Sequence, residues 1–380
     1  MPKILFIANL HHPDQLRQER HSAQLSGNSI PLFPSSSALH FWEKAFLKRG
    51  YTLDLFWRNL SGFGSQDIAS LRAEKYTNRI TAQRIAQAIM HRLPYEVNLE
   101  LKKRNANLLE KARQFQPDII WLVGDNTVVH ADTLAQIKAE INCKILYLCG
   151  TSPIIFSHKI ERDAARVIDL VVANDYYHGI QWREMGAKAM VCLPASSMDA
   201  DFHYPRELSA EEKQEYSVDV SFVGTLVPDN LYRERVEALE ALRDFNLGIW
   251  SVHDVPESLR PYYRGRALGE TMMKVLSAGK ITINTHGDFM RYGGNMRLFE
   301  AAGAEAFQIV DNRVGIHEWF TDTEHLITYH DMNDLREKVV YYLEHPEERQ
   351  RIAKAARQHA LEHHSYDKRL IRLLEIVETL

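Results

Sequence analysis

Cysteine is scarce in this 380-residue chain: Cys143, Cys149 and Cys192 are the only three, and no two of them form a CxxC pair. That scarcity speaks against a disulfide framework and against a structural zinc site. Long hydrophobic runs are absent too, and no stretch approaches the roughly 18 residues of a membrane-spanning helix. Positive charge is not in excess: 46 Lys and Arg against 50 Asp and Glu give a formal net charge of −4. A dedicated nucleic-acid binder would usually be strongly basic. No GxxxxGK[ST] occurs, which excludes a Walker loop, and no GxGxxG, which weighs against a Rossmann dehydrogenase. The opening MPKILFIANLHHPDQ has too short an apolar stretch, and no small-residue cleavage site, for a secretory signal. A cytoplasmic location is the expectation.

What is present is an ordinary globular composition, 45% hydrophobic and 25% charged. At roughly 100–200 residues per domain, the length suggests two domains. Short apolar runs alternate with amphipathic stretches. Lys3–Leu10, Tyr51–Trp57, Asp118–Val123, Lys144–Leu148, Asp169–Ala173 and Ala189–Leu193 read as strands. In DIIWLV at 118–123 every residue after Asp118 is apolar, as expected of a strand covered on both faces of a parallel sheet. Ser37–Arg49 reads as a helix, with Leu39, Trp42 and Phe46 on one stripe and Gly50 as its stop. Val97–Phe115, Ala131–Glu140 and Tyr176–Met185 read likewise. The alternation pauses at the polar Pro194–Tyr216, read as the passage between domains 1–200 and 201–380. It then restarts, with strands at Asp219–Val223, Leu247–Ser251, Lys280–Asn284, Ala306–Val310 and Leu326–Tyr329. Helices fall at Leu231–Arg243, Glu270–Ser277, Asn295–Ala302, Asp331–Glu344, Pro346–Glu362 and Tyr366–Thr379. Two β-α-β series predict two α/β domains, with ligands at the carboxyl ends of the strands.

The most informative window is NTHGDFMRYGGNMRLFEAAGAEAFQIVD, residues 284–311. A polar, glycine-containing loop leaves a strand and opens a helix near Gly294 or Asn295. The first-turn N–H groups of such a helix attract anions such as a diphosphate. Arg297 and Glu300 share one helix face. An arginine there can neutralise phosphate charge, and a glutamate one turn later can accept hydrogen bonds from ribose hydroxyls. The same spacing also describes a simple solvated ion pair. In VSFVGTLVPDN, residues 220–230, a strand runs into Gly224 and Thr225, which either admit a phosphate or form a tight turn.

From about Asp219 to the C-terminus the chain resembles the group 1 glycosyltransferase domain of the CgeB-like family. The matching pieces are VSFVGT ending at Thr225, KVLSAGKITINTHGD at 274–288, NMRLFEAAGAEAFQIVDN at 295–312 and the helical HDMNDLREKVVYYLEHPEERQRIAKAARQHALEHHSYDKRL at 330–370. The resemblance implies a GT-B fold, two Rossmann-like parallel-sheet domains facing across a cleft. The N-terminal one would bind the acceptor and the C-terminal one the nucleotide-sugar donor. It implies Glu300 at the donor ribose and Arg297 at the diphosphate. Asn295 and the Gly293–Gly294 backbone would line the phosphate end, and His286 would face the cleft. Many retaining relatives carry a glutamate eight positions before the second one, where this chain has Tyr292. Glu305 stands where a glycine is common.

In the N-terminal half, Asp125 in VGDN sits where a base for an acceptor hydroxyl would be expected, with His130 in the same loop and His11 and His12 after the first strand. The Asp199-Ala200-Asp201 triplet, the His363-His364 pair and the basic run Leu101–Arg104 carry no expected function. The expectation is therefore a metal-independent transferase. It would take a nucleoside diphosphate sugar, for example a UDP-linked one, as donor and an unspecified saccharide, lipid, protein or small molecule as acceptor. No cofactor, nucleic acid or transmembrane segment is expected. A nucleotide-sugar epimerase or a non-catalytic binding protein on the same scaffold is the alternative.

Overall fold

The computed structural model describes residues 1–70, 93–194, 197–227 and 229–380. Ala195 and Ser196 of the polar passage, and Pro228 after the Gly224–Thr225 bend, lie outside them. The chain divides into two compact units. One comprises Met1–Ala173, His178–Val191 and Thr379–Leu380; the other comprises Asn174–Tyr177 and Cys192–Glu378.

The first unit is built on β1 (Lys3–Ala8), β2 (Thr52–Trp57), β3 (Ile119–Val123), β4 (Lys144–Cys149), β5 (Leu170–Ala173) and β6 (Ala189–Cys192). The sheet order is β2-β1-β3-β4-β5-β6, and the β1–β2, β1–β3, β3–β4 and β4–β5 pairs are parallel. Side chains of a strand alternate between faces. Leu5, Ile7, Ile120 and Leu122 enter one buried layer with Leu108, Leu134 and Ile137 of the covering helices. Phe6 and Trp121 fill the other layer with Phe33, Trp42 and Phe46, at ring separations of 5.0–6.4 Å. Both faces being covered is why these strands read as unbroken apolar runs. The helix Ala38–Lys48 starts where expected, with the Ser37 side chain accepting from the His40 N–H.

The second unit is built on β7 (Val220–Val223), β8 (Leu247–Trp250), β9 (Tyr263–Gly265), β10 (Ile281–Asn284), β11 (Gln308–Asp311) and β12 (Ile327–Tyr329). Its order is β12-β11-β10-β7-β8-β9, and every neighbouring pair is parallel. Strand order reverses beside β1 in the first sheet and beside β7 in the second. At such switch points the loops leaving the strand ends diverge and make room for a ligand.

The sequence shows no periodic stripe over Pro13–Ser26, which is helical but buries Leu16 alone among its side chains. Ala210–Tyr216, inside the expected passage, is a helix with no buried residue. It forms because Ser209 and Glu212 make a reciprocal capping box. The described part of that passage lies within the second unit, where Met198 is buried in the core. The short helices Lys159–Asp163 and Ile316–Trp319 and the three-residue β9 are too brief to show a period.

Candidate donor site in the second unit

The carboxyl ends of β7 and β10 are joined by cationic side chains. Gly224 follows β7 and donates its N–H to the Trp250 carbonyl at 3.0 Å. A methyl group there would meet the Phe222 ring at 2.9 Å, so the bend favours glycine. Arg235, on the helix Arg233–Glu240, donates Nε–H to the Thr285 carbonyl at 2.7 Å and a terminal N–H to the Thr225 carbonyl at 2.9 Å. Thr225 therefore contributes its backbone oxygen to this arrangement. Arg297 donates Nε–H to the Val223 carbonyl at 3.3 Å. Burial, and the neighbouring Arg297 charge, lower the Arg235 pKa against the opposing pull of Tyr232 and Asp311. Two guanidinium groups thus meet at one strand end, where the sequence indicated only one.

Arg297 sits in the first turn of the helix Met296–Gly303, capped by Asn295, whose side-chain oxygen accepts from the Leu298 N–H at 3.0 Å. The Asn295 amide donates to Asn284 Oδ1 at 2.8 Å, and Asn284 in turn donates to Gln308, so the cap is tied to β10 and β11. Arg297 and Glu300 are paired at 2.7 Å. They are not a solvated pair, for their side chains are only 17% and 12% exposed. Met272 Sδ is a further partner of the Arg297 guanidinium. The charge of Glu300 reaches His203, whose pKa burial lowers despite it.

The loop before this helix corrects two expectations. The Gly293 and Gly294 N–H groups do not form an open phosphate cradle. Asp175 Oδ2 accepts from the Tyr292 N–H at 2.7 Å and the Gly293 N–H at 3.3 Å. His286 Nε2 accepts from the Gly294 N–H at 3.1 Å. The glycines are needed for shape instead, with φ of +103° and +107°. A methyl group on Gly294 would come 2.5 Å from the Asn174 carbonyl oxygen and 2.7 Å from the Trp319 ring. His286, expected at a ligand-facing position, is fully buried with both ring nitrogens occupied: Nδ1 donates to Asp311 at 2.7 Å. The Gly294 N–H on Nε2 places the ring proton on Nδ1, toward Asp311. The His286 backbone N–H and the Arg313 Nε–H also donate to Asp311. Burial alone would push the Asp311 carboxyl up, but the His286 ring and the Arg313 guanidinium hold it down at about 2. The donors that remain for a ligand are those of the helix start, Arg297 and Arg235.

In the first unit, Asp125 is exposed just beyond β3, with a left-handed φ of +61°. The next residue, Asn126, is buried and holds the bend by accepting from the Val128 and Val129 N–H groups. Its own N–H donates to Glu161, which also takes the Tyr147 hydroxyl; burial raises the Glu161 pKa against these bonds. The structure brings Asp125 near His11 and Arg58, whose protonation both feel its charge. His130 has its ring 3.7 Å from that of Tyr95, tilted by 30°, and its pKa, lowered by burial, responds to Asp132, Asp163, Glu96 and His158. Asp199 and Asp201 form a local turn through a 3.1 Å bond from the Asp201 N–H. Among the described residues, no three His, Cys, Asp or Glu side chains are placed to hold a metal ion, and no helix is long and apolar enough to cross a membrane.

Sequence reasoning missed Arg235, Asp175 and Asp311. Arg235 and Asp311 could have been suspected, one in the helix after β7 and the other at the carboxyl end of β11. Asp175 also follows a strand end, that of β5, but its pairing with Tyr292 and Gly293 left no local signal.

Comparison with known proteins agrees with this frame. Residues 233–375 match the family described as glycosyl transferase-like. The chain is 24% identical over 282 residues to the spore protein CgeB of Bacillus subtilis strain 168, covering 67% of this chain and 80% of that protein. Its fold is similar to that of sucrose-phosphate synthase from Thermosynechococcus elongatus, at a TM-score of 0.62 and 12% identity over 100% of this chain and 99% of that one. It is also similar to Anabaena HepE in complex with UDP and glucose, at a TM-score of 0.58 and 13% identity over 100% of both chains. The chain has the two-sheet architecture of GT-B glycosyltransferases, and the resemblance read from residue 219 onward coincides with a glycosyl transferase-like region at 233–375.

Proposed function

We propose that the protein transfers a glycosyl group from a nucleoside diphosphate sugar to an acceptor nucleophile, with the donor held in the second unit. The observation that carries this reading is the convergence of Arg235 and Arg297 on the carbonyls that end β7, beside the capped start of a helix with Glu300 one turn on. In such a transfer the bond from the sugar's anomeric carbon to the diphosphate breaks, and negative charge grows on the leaving phosphate. Fixed cations and a helix N-terminus aimed at that charge stabilise the transition state. Here two guanidinium groups supply what a metal ion supplies elsewhere, so the transfer is read as metal-independent. Glu300, now facing Arg297, is the acceptor for ribose hydroxyls. Asn295 orients the helix start, Gly224 and Thr225 shape the strand end, and His286, Gly293 and Gly294 set the loop.

On the acceptor side, the new bond to the anomeric carbon releases a proton from the acceptor hydroxyl. Asp125 is its recipient in this reading, because it is an exposed carboxylate on a fixed bend. His130 is given no part. UDP is the first donor base to try, since HepE is in complex with UDP-glucose.

The experiment is a thermal-shift panel of UDP, GDP, ADP, CDP and dTDP, followed by a transfer assay with the nucleotide sugar selected. One nucleotide is expected to raise the melting temperature, by the equivalent of about 2.7 kcal/mol at 100 times its dissociation constant. Arg297→Ala is expected to abolish that shift and lower turnover on the order of 100-fold. A normal shift and normal turnover in Arg297→Ala together with Glu300→Ala would reject the assignment.

A further inference from the structure

Three consecutive N–H groups of the loop that leads into Arg297 are already taken by buried acceptors. Gly294 is served from within its own loop by His286, which Asp311 orients. Tyr292 and Gly293 are served by Asp175, from a point 117 and 118 residues earlier in the chain. Asp175 is completely buried, and its other oxygen is occupied too: Oδ1 accepts from the Tyr177 N–H at 2.9 Å. One carboxylate therefore fixes both its own turn and the loop. A backbone N–H needs a partner once buried, and a carboxylate bonds such groups about twice as strongly as a neutral acceptor.

We propose that Asp175 is a positioning residue for donor binding: it holds Tyr292 and Gly293 so that the loop delivers Asn295 to the end of β10 and Arg297 to the end of β7. This rests on the donor assignment made above. The chain of contacts is short. Tyr292 is pinned at its N–H by Asp175, and its carbonyl accepts from the Gly315 N–H at 2.8 Å. Gly293 and Gly294 then turn the backbone through two positive φ values, and Asn295 caps the helix that carries Arg297. Releasing the first of these fixed points frees a two-glycine segment, the kind of backbone with most freedom to lose its shape. Positioned cations act at full strength only when their geometry is set before the ligand arrives.

A different role for the same contacts is that of a placeholder. A carboxylate on two successive N–H groups resembles an anionic ligand on a backbone nest. If Asp175 stood in for the ligand, removing it would open the nest and tighten binding. The two roles give opposite signs.

The test uses the full chain as wild type, Asp175→Ala and Asp175→Asn, with UDP as the probe. Amide hydrogen exchange is followed in the segment 290–296 and, as a control, in β1–β4, and UDP affinity is measured by calorimetry. Asp175→Ala is expected to speed exchange at 292–294 at least 10-fold with β1–β4 unchanged, and to weaken UDP binding about 10-fold. Asp175→Asn keeps one oxygen for the loop and is expected to recover most of both. It also serves if the alanine variant does not fold. Unchanged exchange at 292–294, or tighter UDP binding in the alanine variant, would overturn the proposal. If wild type binds no UDP, the donor assignment for that nucleotide fails, while the exchange comparison still decides whether Asp175 holds the loop.

Discussion

The two switch points share an architecture and invert its electrostatics. Beside β1 and β3 the fixed group is a cation. Arg58 is buried, donating to Asn9 Oδ1 at 2.8 Å and to the Val123 and Gly124 carbonyls, so its hydrogen-bonding capacity is spent on the ends of two strands. What that site exposes is an acid, Asp125. Beside β7 and β10 the fixed groups are acids. Asp175 and Asp311 are buried; Asp175 is bonded to backbone N–H groups, and Asp311 to a backbone N–H, the buried His286 ring and the Arg313 guanidinium. What that site offers is a pair of arginines. In each case the structural charge is opposite in sign to the functional one, and the two attract: against the effect of burial, Asp125 pulls the Arg58 pKa up, and Asp311 pulls that of Arg235 up. Strand order alone does not tell which chemistry a switch point carries. The buried partner in each loop does.

The largest test of this contrast is in the first unit. Arg58→Met keeps the apolar stem but deprives the Val123 and Gly124 carbonyls and Asn9 of their donors. Each buried polar group left unpaired costs about 1–3 kcal/mol, so a loss of about 3–4 kcal/mol is expected. It should be read by hydrogen exchange in β1–β3, because a chain of two units need not unfold in one step. A loss below 1 kcal/mol would mean that Arg58 is not what fixes this switch point.

Gly294→Ala is the matching probe in the second unit. It combines a φ of +107° with a contact at 2.5 Å to the Asn174 carbonyl oxygen. A destabilisation of about 2–3 kcal/mol is expected. Nucleotide binding should weaken beyond what unfolding explains, since Asn295 and Arg297 follow directly. Melting curves with and without UDP separate the two effects. Stable protein that binds UDP normally would show that the loop's shape does not govern the arginines.

How much of this could be read in advance differs between strand, helix and site. β1, β3 and β5 were legible because both faces of a parallel sheet are covered, which leaves unbroken runs such as KILFIA and LVVA. The helix at Met296–Gly303 was legible from the polar, glycine-containing loop that opens it near Gly294 or Asn295, followed by Leu298, Ala301 and Ala302 at helical spacing. The helix at Ala210–Tyr216 buries nothing and has no stripe, although its Ser209–Glu212 capping pair was there to be seen. Arg297 and Glu300 came from spacing along one helix, which sequence encodes directly. Arg235 needed to be known to face the ends of β7 and β10, and Asp175 needed a partner 117 residues away. Such pairings are made by tertiary packing and leave no local pattern. The glycine loop shows the same limit from the other side: its residues were found, but which way its N–H groups point depends on acids far from it in sequence.

The finest probe concerns protons. Burial first, and Arg369 next, push the His364 pKa down to about 3, and His364 lies within 2.7 Å of the Trp319 carbonyl through Nε2. Trp319 in turn packs against the Gly294 loop. A histidine whose folded pKa is depressed binds its proton only in the unfolded chain between pH 6.5 and 3. Stability is therefore complete above pH 6.5 and falls as pH drops through that window, by up to about 1.4 kcal/mol per pH unit for one such group. Asp311 works in the opposite region: with a folded value of about 2, its contribution is full above the ordinary aspartate range and is lost only as pH falls from there toward 2. Between pH 6.5 and 5 the slope therefore reports buried histidines and not the acids that hold the loop. Urea unfolding at pH 7, 6 and 5, followed by exchange in β10 and β11, is expected to give a slope that His364→Gln reduces by close to one proton. Burial also lowers His203 and His325, so some slope should remain in that variant. An identical slope in wild type and His364→Gln would place the acid sensitivity in those two histidines instead and uncouple it from the Trp319 support of the loop.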